Sequence, residues 1–365
     1  MNYFKVGCNF DPDLLKGVIL LNEQHDDAKI NEMYGCLKEH APYSARPKYR
    51  IPEASRNDIA KYIRTALDNG ITFNYSLNSI YPGSKQFLHD NLSGISESLK
   101  WLYDSGVSTI TISNPIMAEI ILASPYTFNI EVSTIAHIDT ITQIKYWKDK
   151  YSIQKICGNL LKNRSVKFLS HAARYCNEND IIYNVMVNEF CSIGSHAGRS
   201  YSTHCIYRDS CYLCHAENTT VREDGLFNSY PMNRCMDARL APQDWLKCHF
   251  IRPEDVIRYN KIGINHFKIT GRTADTNFIL QVCDAYLTKK WNGNLLELWK
   301  QLESINRPPN DPNSKSPIII KNPRLDGFLD HWFTPEGFDC AIELCGETCK
   351  YCDRWYKNNY FQLGK

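Results

Sequence analysis

The stretch SRNDIAKYIRTALDNGITFNYSL, residues 55–77, decides the fold. Ser55 stands where a helix cap belongs. Ile59, Tyr62, Ile63 and Ala66 recur at helical spacing, and Gly70 ends the run. ITFNYSL then reads as a strand rich in β-branched and aromatic residues. One helix leading directly into one strand is half of a repeating unit, and the unit recurs down the chain.

GSKQFLHDNLSGISESLKWLYDSG reads as a helix with an interruption near Ser93–Gly94, and VSTITIS as a buried strand. NPIMAEIILAS is a helix entered through Asn114 and Pro115, with Asn114 as its cap. NIEVSTIA, IQKICGNLL and IIYNVMVNEF are strands, separated by the helices DTITQIKYWKDKY and SVKFLSHAARYCNEND. RPEDVIRYNKIG, INHFKITGR and DTNFILQVCDAYLTKKW continue as helix, strand and helix, and YFKVGCNF supplies a first strand. Seven strand candidates in such a rhythm predict an α/β fold, a (β/α)8-like TIM barrel closed by parallel strands. The eighth strand is placed at KGVILLN, residues 16–22.

The predicted organisation is a barrel over residues 1–300 with a cysteine-rich segment at 188–250, a Pro- and Asn-rich linker at 301–327, and a small tail at 328–365. A tail that short cannot build its own core without a metal or disulfide staple. The N-terminus has no basic stretch followed by an apolar run, and no transmembrane segment is expected, so a cytoplasmic protein without membrane partners is predicted. The net charge of +2 gives no global field for nucleic acid or membrane. In a reducing compartment the 15 cysteines call for an explanation other than disulfides.

Ten of them are concentrated in two places. Cys191, Cys205, Cys211, Cys214, Cys235 and Cys248 fall in one segment that begins where a barrel strand ends, with His196, His204 and His215 among them. Cys340, Cys345, Cys349 and Cys352 are spaced Cys-x4-Cys-x3-Cys-x2-Cys, with Gly346 allowing the chain to turn. Thiolates this dense suit zinc or an iron–sulfur cluster; buried, unligated thiols are the alternative. Spacing alone does not choose between the two metals at the tail.

Chemistry on a βα barrel sits at the C-terminal ends of the strands. The polar residues there are Asn74, Asn78, Asn114, His137, Asn159, Asn188, Glu189 and Arg272. Helix capping competes with substrate binding for the asparagines. Glu189 and Arg272 end the strands that frame the cysteine segment. Lys268, Thr270 and Arg272 share a strand face, so Lys268 and Arg272 either hold a carboxylate or phosphate or pair with acidic groups at the rim. The catalytic candidates are therefore Glu189, Lys268 and Arg272. The binding candidates are Asn74, Asn159, Asn188, His137 and Arg239, and Arg234 and Arg239 also flank a candidate ligand.

VMVNEF followed by Cys191, then CIYRDSCYLCH, YPMNRCMDARLAP, FIRPEDVIRYNKIGINHFKITGR and GNLLELW resemble the collagenase-like peptidase, or U-thirty-two, family over about residues 55–300. GITFNYSLNS and the tail motif CGETCKYC are also similar to features of its bacterial branches. The resemblance implies a TIM-like barrel with a 4Fe–4S cluster on four cysteines. It also implies oxygen-independent hydroxylation of RNA or a small molecule, in spite of the peptidase name. The family places its first cysteine pair six residues apart after a Glu-x-Phe-x2-Gly motif, whereas here Cys191 follows Asn-Glu-Phe directly. Under this resemblance the ligands are Cys191, Cys205, Cys211 and Cys235, with Cys214 and Cys248 in reserve. A second 4Fe–4S cluster or zinc is expected on Cys340, Cys345, Cys349 and Cys352. Three functions follow: an iron–sulfur hydroxylase or oxidoreductase acting on RNA, a peptide or a small molecule; a peptidase; or a zinc-stabilised module that needs a protein partner. The first also calls for an electron donor. No His-Glu-x-x-His or Gly-x-Ser-x-Gly motif supports the second.

Overall fold

The Ser55 hydroxyl accepts the backbone N–H of Asp58 at 3.1 Å, which starts the helix at Arg56. Ile59, Tyr62, Ile63 and Ala66 form its buried stripe, as their spacing predicts. Each fully buried aliphatic side chain of this kind contributes about 1.5–3 kcal/mol relative to exposure. Asn114 likewise caps its helix, accepting from the Met117 N–H at 3.0 Å with Pro115 at the first position.

The structure is a computed structural model that describes residues 1–45, 51–80, 89–189, 242–271, 274–299, 319–334 and 338–360. Eight parallel strands close in sequence order: β1 (Asn2–Gly7), β2 (Ala28–Gly35), β3 (Thr72–Leu77), β4 (Thr109–Ile112), β5 (Asn129–Val132), β6 (Lys155–Cys157), β7 (Ile182–Met186) and β8 (His266–Ile269). Strand β8 pairs with β1, Tyr3 beside His266 and Val6 beside Ile269. The described helices are α1 (Pro12–Gln24), α2 (Arg56–Asp68), α3 (His89–Asp104), α4 (Pro115–Ala123), α5 (Ile141–Tyr151), α6 (Val166–Glu178), α7 (Pro242–Leu246), α8 (Val256–Asn260), α9 (Thr276–Leu287) and α10 (Tyr351–Tyr360). None of them is long and apolar enough to cross a membrane.

The eighth strand is not where the apolar run suggests. Residues 16–22 lie inside α1, whose start is fixed by Asp11 accepting the Asp13 N–H and by Pro12, and whose Leu14, Leu15 and Val18 are buried. The strand is β2, AKINEMYG. Two smaller differences also have local causes. Helix α3 runs unbroken through Ser93–Gly94. The segment after Arg252 forms a 3-10 turn, Pro253–Asp255, before the short α8, with Pro253 fitting the first turn.

The apolar core lies between strands and helices. Phe4, Val6, Phe73, Ile110, Ile112, Ile130, Val132, Val185, Phe267 and Ile269 are buried with the helical stripes. The C-terminal residues join this core: Ile320, Leu325, Phe328, Leu329 and Trp332 are all buried in it. Arg252 secures them, pairing with Asp255 at 2.7 Å and with Asp326 at 3.0 Å, and donating to the Asn322 carbonyl at 2.9 Å.

Candidate active site in a charged barrel

Strand residues alternate between the two faces of a sheet, so the residues between the apolar ones point into the barrel. Here that interior is charged. Lys5 on β1 bonds to Glu131 on β5, and Lys155 on β6 bonds to Glu32 on β2. These strands are not neighbours, so both pairs reach across the barrel. Lys5 also lies 3.9 Å from Glu32. Asn74 on β3 donates to Glu131 at 2.8 Å and to Glu32 at 3.1 Å, and accepts from Thr111 on β4 at 2.6 Å. Lys5, Glu32, Asn74 and Glu131 are all buried.

Burial pushes the Glu131 carboxyl up, but Lys5, Lys268 and Lys155 together hold it below its ordinary value, so it is an anion. His266, stacked on Tyr3, is lowered to about 4 by burial and by Lys155 and Lys5, and is neutral at pH 7. Among the described residues the interior therefore sets three lysines, Lys5, Lys155 and Lys268, against two carboxylates, Glu32 and Glu131, an excess of one positive charge.

Lys268 carries that excess. It aligns with Lys5 on one side and Met186 on the other, and it is buried. Its ammonium lies 4.3 Å above the ring of Tyr34, whose hydroxyl donates to the Ile269 carbonyl at 3.1 Å. Among the described residues no carboxylate forms an ion pair with it, whereas Lys5 pairs with Glu131 and Glu32, and Lys155 with Glu32. Lys268 sits near the C-terminal end of β8, the end at which barrels of this type bind and transform substrates. A cation that is desolvated, braced by a ring and short of a counter-charge suits a carboxylate or phosphate.

Beside it, the ends of β7 and β8 are tied together. Asn188 accepts the Thr270 N–H at 2.7 Å and donates to the carbonyls of Thr270 and Leu298, both at 3.1 Å. Its polar atoms serve this tie. Glu189 follows, half-buried, and is the last described residue before the cysteine segment. The chain returns to the same place: the Ile251 N–H donates to the Val187 carbonyl at 2.9 Å, and Asn163 donates to the carbonyls of Met186 (2.7 Å) and His249 (2.9 Å). The cysteine segment thus leaves and rejoins the barrel at the end of β7, beside Lys268.

The structure brings Asn188, Glu189 and Lys268 together. Asn74 lies deeper, inside the charged network. Asn159 caps a short turn, accepting the Leu161 N–H at 3.1 Å, and donates to Asp139 at 2.6 Å at the ends of β5 and β6. His137 is near it, with left-handed backbone (φ 54°). Arg239, Arg272, Cys191, Cys205, Cys211, Cys214 and Cys235 lie outside the described residues. Cys248 is fully buried in the apolar core. Cys340, Cys345 and Cys349 are half-buried and Cys352 is buried. As the side chains stand, no three Cys, His, Asp or Glu groups among the described residues converge as metal ligands.

Lys5, Glu32, Glu131 and Lys155 are absent from the candidates read from sequence. Their signal is one charge inside a short apolar strand: YFKVG, INEMY, NIEVS and IQKIC.

The sequence model of peptidase family U32 matches residues 27–294. An uncharacterized protease of Methanocaldococcus jannaschii is 25% identical over 352 residues, 92% of either chain. A solved U32 peptidase aligns with a TM-score of 0.47 at 15% identity, covering 74% of this chain and 92% of that one. A GH113 β-1,4-mannanase aligns at 0.40 and 9%, covering 79% and 98%. The family match spans well over half of the residues and takes in seven of the eight strands, from β2 to β8. The chain belongs to peptidase family U32.

Proposed function

We propose that this U32 protein is an enzyme that takes an anionic group of its substrate onto Lys268, next to a 4Fe–4S cluster carried by the segment after β7. The excess positive charge inside the closed barrel supports this reading most directly. The proposed reaction is an oxygen-independent hydroxylation or a related modification of an RNA, a peptide or a small molecule. The cluster's ligands would be Cys191, Cys205, Cys211 and Cys235, with Cys214 in reserve. When bound, the cluster supplies low-potential electron transfer, which calls for an electron donor as partner.

The protein's own residues do the rest. Lys268 binds and orients the anion, and Tyr34 braces its ammonium. The Lys5–Glu131 and Glu32–Lys155 pairs are already satisfied and leave Lys268 the cation available to a ligand. Glu189, half-buried and one residue beyond Asn188, would exchange a proton with a bound group. Arg272, four residues beyond Lys268, would supply a second cation.

Anaerobically purified protein is expected to hold iron and acid-labile sulfide and to give a cluster EPR signal on reduction. Cys191→Ser and Cys235→Ser should each remove both. Colourless protein with zinc in place of iron would overturn the cluster. The names of the family and of the Methanocaldococcus relative support peptide hydrolysis as a second reading. Proteolysis abolished by alkylating one cysteine, with metal content unchanged, would establish it instead.

A further inference from the structure

Arg164 carries a buried charge without an anion. It is 1% exposed. Its guanidinium lies 4.6 Å from the ring of Trp332, 5.2 Å from Phe328 and 5.3 Å from Phe250. Nη1 donates to the Leu246 carbonyl at 2.9 Å, but among the described residues Nε and Nη2 have no acceptor. Among the described residues no carboxylate pairs with it. Arginine cannot shed its proton inside a protein. Three rings offset part of the desolvation, yet two orphaned charged donors remain strongly unfavourable until an anion meets them.

The tail cysteines stand against the same aromatic wall. The Trp332 indole N–H donates to Cys340 Sγ at 3.0 Å. Cys352 Sγ donates to the Leu246 carbonyl at 3.6 Å, the oxygen that Arg164 also binds. Between them the chain makes a tight loop. Gly346 takes φ 88°, where a side chain would be strained, its N–H donates to the Cys349 carbonyl at 2.8 Å, and the N–H groups of Thr348 and Cys349 return to the Leu344 carbonyl. The loop sets the backbones of Cys345 and Cys349 side by side. Cys340 and Cys352 thus flank the Arg164 site, one through Trp332 and the other through the Leu246 carbonyl, and the loop between them carries Cys345 and Cys349.

We propose that Cys340, Cys345, Cys349 and Cys352 hold a thiolate-bound metal centre, zinc or iron–sulfur, and that Arg164 is its buried counter-charge. Four thiolates around a divalent ion leave a net negative charge, and the four thiol protons pass to solvent on binding. Closing the site requires the thiols to turn toward one another, since as the side chains stand no three of them converge as ligands. The centre is a clamp. Lys247 bonds Asp244 and Asp353, each at 3.0 Å, so α10 is fastened to α7 and to the limb that leads from the cysteine segment back to Val187. Arg164 acts here as a positioning residue, and the proposal stands independently of any cluster at the barrel mouth.

The test uses the full chain. Zinc, iron and sulfide are measured per chain in the wild type and in Cys345→Ser/Cys349→Ser. The double variant is expected to lose one zinc ion or one cluster's worth of iron relative to wild type; which of the two is lost identifies the metal. In the wild type, Cys345 and Cys349 should resist iodoacetamide until 1,10-phenanthroline, or ferricyanide with EDTA, strips the metal. Arg164→Met should weaken zinc or iron retention against a competing chelator by about 10–100-fold, and Arg164→Lys by less. Unchanged metal in the double variant, or alkylation of both thiols in the untreated native chain at the rate of free cysteine, overturns the centre. Unchanged retention in Arg164→Met overturns the counter-charge.

Discussion

Replacing Glu131 by Gln tests the charged interior most directly. Glu131 is fully buried; one carboxylate oxygen binds Lys5 and the other accepts from Asn74 at 2.8 Å. Glutamine keeps the shape and the Asn74 contact but removes the charge. Lys5 is then left with Glu32 alone at 3.9 Å, and three lysines face a single carboxylate. Breaking a buried pair by removing one partner costs about 3–5 kcal/mol, a large part of the roughly 5–15 kcal/mol that stabilises a typical protein. Urea unfolding followed by near-ultraviolet circular dichroism should show that loss as a lower midpoint. The pH dependence has a definite sign. The folded carboxyl titrates below its ordinary 4.5, so its stabilisation is complete above that value and is lost as pH falls through the folded value. Glu131→Gln should flatten that acid limb. Lys5→Met combined with Glu131→Leu should recover part of the stability, because the pair is then removed together and Lys5 is not stranded, although Asn74 loses one acceptor. Asp104→Asn, which breaks the exposed 2.6 Å pair with Lys100, is the control and should cost at most about 1 kcal/mol. A Glu131→Gln loss as small as that control would refute the reasoning.

Lys268→Met should destabilise the protein less than Glu131→Gln, since Lys268 supports Glu131 only through its charge and breaks no ion pair among the described residues, yet abolish the salt-sensitive binding of phosphate measured by calorimetry; a loss as large as that of Glu131→Gln would make Lys268 a structural cation instead. Asn188→Ala removes the tie to Thr270 and Leu298, and should cost about 1–3 kcal/mol and accelerate amide exchange at Thr270. Exchange at the wild-type rate would show that the tie does not hold the strand ends. Gly158→Ala places a methyl 2.4 Å from the Tyr183 hydroxyl, so overpacking should lower thermal stability by about 1–3 kcal/mol. Wild-type melting would mean that Tyr183 moves freely.

The barrel was legible because its helices follow local rules. Ser55, Asn114 and Pro115 announce helix starts, and α2 and α6 bury the stripes their spacing predicts. What misled was the polarity of the interior. Strand β2 carries Lys29, Asn31 and Glu32, so it lacks the apolar density of a central strand, while the apolar run at residues 16–22 lies in α1, where Val18 is buried and Leu20 is exposed. The same feature hid the charged network: Lys5 and Glu131 are 126 residues apart, and only closure of the barrel makes them a pair. Asn188 was visible as a polar strand end, but its role as the β7–β8 tie depends on Thr270 and Leu298, which no local pattern places beside it. Arg164 lacks any local signature, because its three rings come from distant segments.

The seam between β1 and β8 has a consequence for synthesis. Residues 3–6 pair with β2 early, but on their other edge they find partners only when residues 266–269 have been made. At about 5–20 residues per second, the free edge of β1 waits roughly 13–52 s on the ribosome. An open strand edge is a template for pairing with another chain, and a lysine in its middle discourages this. Lys5 thus protects the nascent chain before it serves the finished barrel. Truncations that stop short of residue 266 leave the edges of β1 and β7 unpaired together, and they will aggregate rather than settle as a smaller barrel.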